Sequence, residues 1–247
     1  MKYEKRLILE GRHYSTDSIN MWSAARELGW DVLRVPDYKY EDDGVKPVLY
    51  GSKWLSYVIS DACGVSFVRP SYDWLAGLPH EYLKREVMYY VKDVDWPEVP
   101  SFIKCCDSKW FDAMVYKPDE MFKLEELIDE TGILISEPVE FTHEFRIFVL
   151  NGRVVDISSY FLNGKSTQTE NGWLSFPELE KEAIDFVKEL LDNVECVNSV
   201  VIDVGYINDR GWAVVEANES WFSGLYACEP RMVLEVIEGA VKYNASS

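Results

Sequence analysis

The stretch SVVIDVGYI-NDRG-WAVVEAN, Ser199 to Asn218, constrains the fold of this chain more than any other segment. Two runs rich in β-branched and aromatic residues flank a short polar tetrad ending in glycine, the pattern of an antiparallel hairpin. Asp203 breaks that pattern, because it sits inside the apolar VVIDVG, where an unpaired acid is costly. With Asn208 to Gly211 as the loop, Ile207 faces Trp212, Asp203 lies directly opposite Glu216, and Asn218 follows on the same face. Directly opposed side chains lie about 4.5–5.5 Å apart at Cβ, so two carboxylates there repel unless something neutralises them. A hard divalent cation such as Mg²⁺ takes carboxylate and phosphate oxygens and would do so. The competing reading is a solvated acidic edge.

Upstream, RLILE (Arg6 to Glu10) reads as a strand, and Thr16 or Asp17 as the cap of a helix through WSAARELG ending at Gly29. DVLRV (Asp31 to Val35) completes a β-α-β unit, and PVLYG (Pro47 to Gly51) leads as a third strand into the helix KWLSYVISDACG. No GxGxxG follows the first strand, so a dinucleotide site is not supported. Arg69 to Val94 is aromatic and mostly helical in pattern. DVDWPEVP, Asp93 to Pro100, reads as a linker and divides residues 1–97 from 98–247.

Beyond it the pattern changes to strands SFIKCC and AMVYK around the loop DSKWFDA, then an amphipathic helix PDEMFKLEELIDETG. ILISEPVEF is a strand broken at Pro138, and HEFRIFVL-NG-RVVDISSYF is a hairpin turning at Asn151-Gly152. FPELEKEAIDFVKELLDNV is a long helix before the final hairpin.

Composition narrows the partners. A chain of 247 residues, 47% of them apolar, can bury a substantial core. Its formal charge of −18 argues against a nucleic-acid backbone or an anionic membrane as the main partner. Five cysteines without CxxC or zinc-like spacing fit free thiols in a reducing compartment. The N-terminal MKYEKRLILEGRHYS lacks the apolar run of a signal peptide, and no segment approaches the ~20 apolar residues of a membrane span. The expected location is the cytoplasm. His13, His80 and His143 are scattered and suggest no catalytic constellation.

The set D-x₁₂-E-x-N (Asp203, Glu216, Asn218), the strand FIK at Lys104, and ILISEPVE followed by HEFR resemble the ATP-grasp superfamily of carboxylate–amine ligases. The likeness covers about residues 98–247 and is strongest to the Arg-and-two-Lys clade, many of whose members are phage-encoded. It implies an α+β ATP-grasp fold, two subdomains gripping ATP, with residues 1–97 as a small Rossmann-like α/β domain in front.

It also implies roles. Lys104 would contact nucleotide phosphates, an ammonium being a good point-charge partner for them. Backbone groups around Glu137, Val139 and Glu140 would read adenine, and Glu144 would bind ribose hydroxyls. Arg146 shares a strand face with Glu144 and Phe148, where it could clamp the transferring phosphoryl group or a substrate carboxylate, or simply pair with Glu144. Asp203, Glu216 and Asn218 would hold Mg²⁺, with Mn²⁺ able to replace it, and Ser220, Ser223 and Gly224 lie where the family binds substrate or phosphate.

Two departures stand out. The loop CCDSKWFDA has no glycine where many relatives carry a Gly-rich flap, and Val201 occupies a position often held by a cation. Arg146 or Lys165 is the expected replacement; Lys109, Arg69 and Arg85 are further cations without an assigned role. The implied activity is ATP- and Mg²⁺-dependent ligation of a carboxylate to an amine through an acyl phosphate, on small-molecule or peptide substrates. A non-catalytic nucleotide-binding protein and an ATP-dependent phosphotransferase are the alternatives. Oligomeric state is not readable from the sequence.

Overall fold

A computed structural model of the chain describes residues 4–11, 14–107 and 109–243; His13 lies outside them. The chain opens with β1 (Lys5–Glu10), α1 (Thr16–Glu27), β2 (Asp31–Val35), β3 (Lys46–Tyr50) and α2 (Lys53–Cys63). The three strands form a parallel sheet in the order β2-β1-β3, as the β-α-β reading requires. Leu7, Ile8 and Leu9 are all fully buried, the continuous apolar run of a parallel strand covered on both faces. The cap of α1 is Ser15 rather than Thr16 or Asp17: its hydroxyl accepts from the Ser18 N–H at 3.1 Å.

The end of the chain returns to this sheet. β4 (Val65–Phe67) pairs with the last strand, β16 (Val241–Tyr243), and α6 (Pro230–Glu238) buries Val233, Leu234, Val236 and Ile237 in the same core. Glu238 accepts from Lys5 and Lys46, each at 2.8 Å, pinning α6 to β1 and β3.

Arg69 to Val94 is not mostly helical. It holds one four-residue helix, α3 (His80–Leu83), and a strand, β5 (Val87–Tyr90), among turns. Pro70 and Pro79 each remove a backbone donor and restrict the residue before them, so no helix runs through. β5 joins β6 (Ser101–Cys105), β7 (Met114–Tyr116) and β8 (Ile133–Ser136) in an antiparallel sheet ordered β5-β8-β6-β7, which spans DVDWPEVP. The expected helix after β7 shrinks to α4 (Pro118–Met121) followed by a 3₁₀ stretch, Phe122–Leu127. Met121, the last residue of α4, and Leu124 of the 3₁₀ stretch are buried three apart, the repeat of a 3₁₀ helix.

The larger sheet has five antiparallel strands, in the order Lys165–Ser166, Arg153–Leu162, Phe141–Leu150, Ser199–Ile207 and Gly211–Asn218. β9 (Phe141–Leu150) and β10 (Arg153–Leu162) meet at Asn151 (φ 51°) and Gly152 (φ 72°), the two positive φ values of a type I′ hairpin turn. β11 (Lys165–Ser166), β12 (Gln168–Thr169) and β13 (Gly172–Trp173) are two-residue strands before α5 (Pro177–Asn193), β14 (Ser199–Ile207) and β15 (Gly211–Asn218). Ala183, Val187 and Leu190 of α5 pack on one face, against Phe145, Ile147, Val149, Val200, Ile202 and Val204. On the other face Phe148, Leu150 and Val201 pack into the core that contains α6. Further along the same strands that face becomes charged, at Arg146 and Asp203.

Candidate active site

A cleft of about 870 Å³ lies between the two larger sheets. Its walls carry Lys104 of β6, Ser136 at the end of β8 with Glu137 to Val139 after it, Glu144 and Arg146 of β9, and Glu216 and Asn218 of β15. Lys53, Tyr72 and Asp107 line one end.

The last hairpin reaches the expected pairing by an unexpected route. Ile207 pairs with Gly211, and Tyr206 with Trp212, so the register at the tip is one residue away from the sequence reading. Between the pairs Val204↔Val214 and Asp203↔Glu216 the ladder shifts by one, leaving Val215 as an extra residue. This bulge restores Asp203 opposite Glu216 and Val201 opposite Asn218. It also turns side chains over. Trp212 and Val214 pack on the α5 face, and in a regular strand Glu216 would follow them there; instead Ala217 packs on that face, while Glu216 and Asn218 line the cleft.

A row of polar groups crosses the sheet at this level, Ser158 opposite Arg146, Arg146 opposite Asp203, and Asp203 opposite Glu216. Arg146 grips Asp203 bidentately, Nε to Oδ1 at 2.9 Å and Nη2 to Oδ2 at 2.7 Å, and donates through Nη1 to the Gly224 carbonyl at 3.2 Å. Its guanidinium also lies 4.7 Å from the Tyr226 ring centre. Lys104 Nζ reaches Glu216 Oε2 at 2.5 Å, and the Asn218 amide donates to Glu216 Oε1 at 2.8 Å. The two carboxylates titrate apart. Burial pushes Asp203 up to about 6 against the pull of Arg146. Burial opposes the Glu216 carboxylate too, but Lys104 and Asn218 outweigh it and bring that group down to about 2.

Lys104, Glu137, Val139, Glu144, Arg146, Glu216 and Asn218 are brought together around the cleft. Asp203 lies beneath Arg146, 1% exposed. Glu140 is exposed and outside the cleft wall. Glu137 donates its N–H to the Glu86 carbonyl at 3.0 Å, and its carboxylate is held by Arg210 at 2.7 and 3.0 Å. Arg146 does not pair with Glu144, which instead accepts from the Tyr160 hydroxyl at 2.5 Å and is raised by burial. Arg146, not the exposed Lys165, supplies the charge beside Asp203, because Val201 is packed in the core. Ser223 and Gly224 border the cleft, whereas Ser220 is fully buried against Ser199 at 2.7 Å.

Sequence reasoning missed the cluster at the far end. Lys53 pairs with Asp107 and, at 3.1 Å, with Glu219; Tyr72 donates to Asp107 at 2.8 Å. The available signal was position: Lys53 follows the capping Ser52 just beyond parallel strand β3, and open α/β sheets bind ligands at such strand ends.

The donor chemistry fits a hard divalent cation. Glu216 and Asn218 present oxygen ligands on the cleft face, the bond from its nitrogen to Glu216 leaving Asn218 with its amide oxygen as acceptor, while Asp203 opposite them keeps both oxygens on Arg146. Among the described residues no group of three or more acids, histidines or cysteines is gathered for a metal, and Arg146 and Lys104 hold the two carboxylates as ion pairs.

Known proteins share this architecture. The D-cycloserine synthetase DcsG is similar at 13% identity with a TM-score of 0.59, covering 94% of this chain and 98% of its own. A RimK domain protein ATP-grasp from Sphaerobacter thermophilus matches at 13% identity and TM-score 0.52, covering 94% of this chain and 99% of its own. D-alanine–D-alanine ligase from Bacillus anthracis, complexed with ATP, matches at 10% identity and TM-score 0.51, over 96% of this chain and 97% of its own. Identities this low speak to the fold alone, which is the ATP-grasp fold. No curated protein gives a significant match. The family model for the ATP-grasp domain, R2K clade family 2, matches residues 82–236. This chain belongs to that family of ATP-grasp domains.

Proposed function

We propose that this chain is an ATP- and Mg²⁺-dependent ligase that joins a carboxylate to an amine through an acyl phosphate. The observation that carries the reading is the row Arg146–Asp203–Glu216 with Lys104 and Asn218, built on one wall of a cleft. Fold relatives include ligases, one of them complexed with ATP, which supports the class and the nucleotide. We place the catalytic unit in residues 98–247, with β5 from the preceding segment completing its smaller sheet, and a smaller α/β domain in residues 1–97, and we expect a cytoplasmic protein. Among the described residues, no helix is long and apolar enough to cross a membrane.

In this reading the substrate carboxylate attacks the γ-phosphorus of ATP and ADP leaves. The amine then attacks the acyl carbon, phosphate leaves, and the amine's proton passes to solvent. Glu216 and Asn218 would hold Mg²⁺ from the cleft wall, with Asp203 as a third ligand once Arg146 gives up one of its two carboxylate bonds; the metal when bound neutralises charge on phosphate oxygens. Lys104 would exchange its bond to Glu216 for a phosphate oxygen. Arg146, anchored by Asp203 and Gly224, would offer its remaining guanidinium face to the phosphoryl group or the substrate carboxylate. Glu144 and the chain at Val139 would hold ribose and adenine. Positioning and electrostatics carry the chemistry, so no nucleophilic side chain is required.

Two observations favour a second reading, a nucleotide-binding protein without turnover: both carboxylates are already charge-paired, and the loop after β6 has no glycine. Incubation with Mg-ATP and a metabolite or peptide extract, followed by mass spectrometry, separates the readings. A new amide with ADP supports ligation, a phosphate ester supports phosphotransfer, and ATP binding without ADP release supports the second reading. Asp203→Asn and Glu216→Gln should each abolish turnover with the fold intact.

A further inference from the structure

Arg85 is a charged residue of the cleft wall without a role so far. It is 5% exposed and, among the described residues, forms no salt bridge; its guanidinium instead donates to the carbonyls of Val214 at 2.7 Å, Val215 at 3.2 Å and Leu83 at 3.1 Å. Burying a guanidinium against carbonyls alone is costly, and here the cost falls at one defined spot. Val214 and Val215 are the residues where β15 departs from a regular ladder. Successive carbonyls of a regular strand point to opposite edges; both reach one guanidinium because the strand is bulged there. The Phe141 ring, 5.2 Å from the guanidinium, closes the site from the β9 side. Gly205 makes room for that ring, since a Cβ there would lie 2.5 Å from Phe141 Cδ1.

We propose that Arg85 is a positioning residue that fixes the bulge at Val215 and thereby aims Glu216 and Asn218 into the cleft. The consequence for metal binding rests on the function proposed above; the hold on the bulge does not. The segment after α3 thus sets the parity of the strand that carries two ligands. Removing Val215 would leave every other pair of the hairpin in register and bring Glu216 next to Val214, on the cleft face without a bulge. A chain lacking Val215 has no use for Arg85, whereas a charge role for Arg85 would survive that deletion.

The test uses the full chain as wild type, Arg85→Lys, Arg85→Met, and Arg85→Met with Val215 deleted. Amide hydrogen exchange over residues 211–218 is followed by mass spectrometry. Mn²⁺ binding with a non-hydrolysable ATP analogue is followed by electron paramagnetic resonance. Arg85→Met should speed exchange at the bulge and weaken Mn²⁺ binding about tenfold or more, as loss of a supporting group around a metal does. Arg85→Lys, which keeps the charge but not the planar fork, should fall between. Deleting Val215 from Arg85→Met should restore slow exchange and tight Mn²⁺ binding together. Unchanged exchange in both Arg85 single variants overturns the proposal, as does a loss that the deletion fails to repair in a cooperatively folding chain. If wild type binds no Mn²⁺, the function proposed above fails, and faster exchange in the Arg85 variants still supports the hold on the bulge. Should Arg85→Met not fold, Arg85→Lys decides: faster exchange supports the proposal and wild-type exchange overturns it.

Discussion

Asp203 and Glu216 face each other across β14 and β15, one carboxylate sealed beneath Arg146 and the other open to the cleft beside Lys104. The pair is tolerable because each acid has its own cation, giving four charges that sum to zero within one row. Three of them line the cleft and the fourth is buried under it. That arrangement has measurable consequences.

Arg146→Met should destabilise the fold by about 3–5 kcal/mol, because it strands the buried Asp203 carboxylate without a partner. The double variant Arg146→Met/Asp203→Leu should recover most of the loss, since the buried charge goes with its partner. Urea denaturation midpoints of the two variants and the wild type check this. Equal destabilisation in both would mean that the arginine's packing, not its pairing, matters.

Glu144 sits within the cleft, accepting from Tyr160 at 2.5 Å. Glu144→Gln should weaken ATP binding about tenfold, the scale of one hydrogen bond to a charged group. It should leave 2′,3′-dideoxy-ATP binding nearly unchanged. Calorimetric titration with both nucleotides tests the ribose assignment, and a loss of equal size for the two would remove it.

Glu238 gives a pH dependence remote from the cleft. Burial opposes its ionisation, but Lys46 and Lys5 outweigh this and hold its carboxyl below the ordinary Glu range. A depressed folded-state pKa contributes stability that is complete above the unfolded value, about 4.3, and is lost as pH falls through the folded value. Glu238→Gln should therefore be less stable than wild type at pH 7, and the gap should narrow as pH falls below about 4.3. Thermal denaturation across pH 3–7 measures it; a gap independent of pH would assign the effect to packing.

Much of this was legible in the residues. The parallel opening sheet follows from RLILE and DVLRV around an amphipathic helix, and the Asn151-Gly152 turn fixes the β9–β10 hairpin locally. Asp203 announced itself as an acid in an apolar strand. What escaped depended on tertiary contact. The bulge at Val215 is set partly by Arg85, 129 residues away from Val214 along the chain, so no local pattern carries it. The tip register and the bulge each shift the count by one, and the two shifts cancel at Asp203 and Glu216. The shortening of the helix after β7 to α4 and the strand β5 were missed because an aromatic, acidic stretch shows similar periodicity whether it coils or pairs. The Lys53–Asp107–Glu219 cluster joins three distant segments and carries no motif.

The central claim is that Glu216 and its neighbours form a metal-dependent nucleotide site. Calorimetric titration of a non-hydrolysable ATP analogue into wild type and Glu216→Gln, each with and without Mg²⁺, tests it most directly. Wild type should bind the analogue more tightly with Mg²⁺ than without it, and Glu216→Gln should lose that enhancement while remaining folded. Identical Mg²⁺ dependence in the two chains, or no binding by wild type under either condition, would contradict the account.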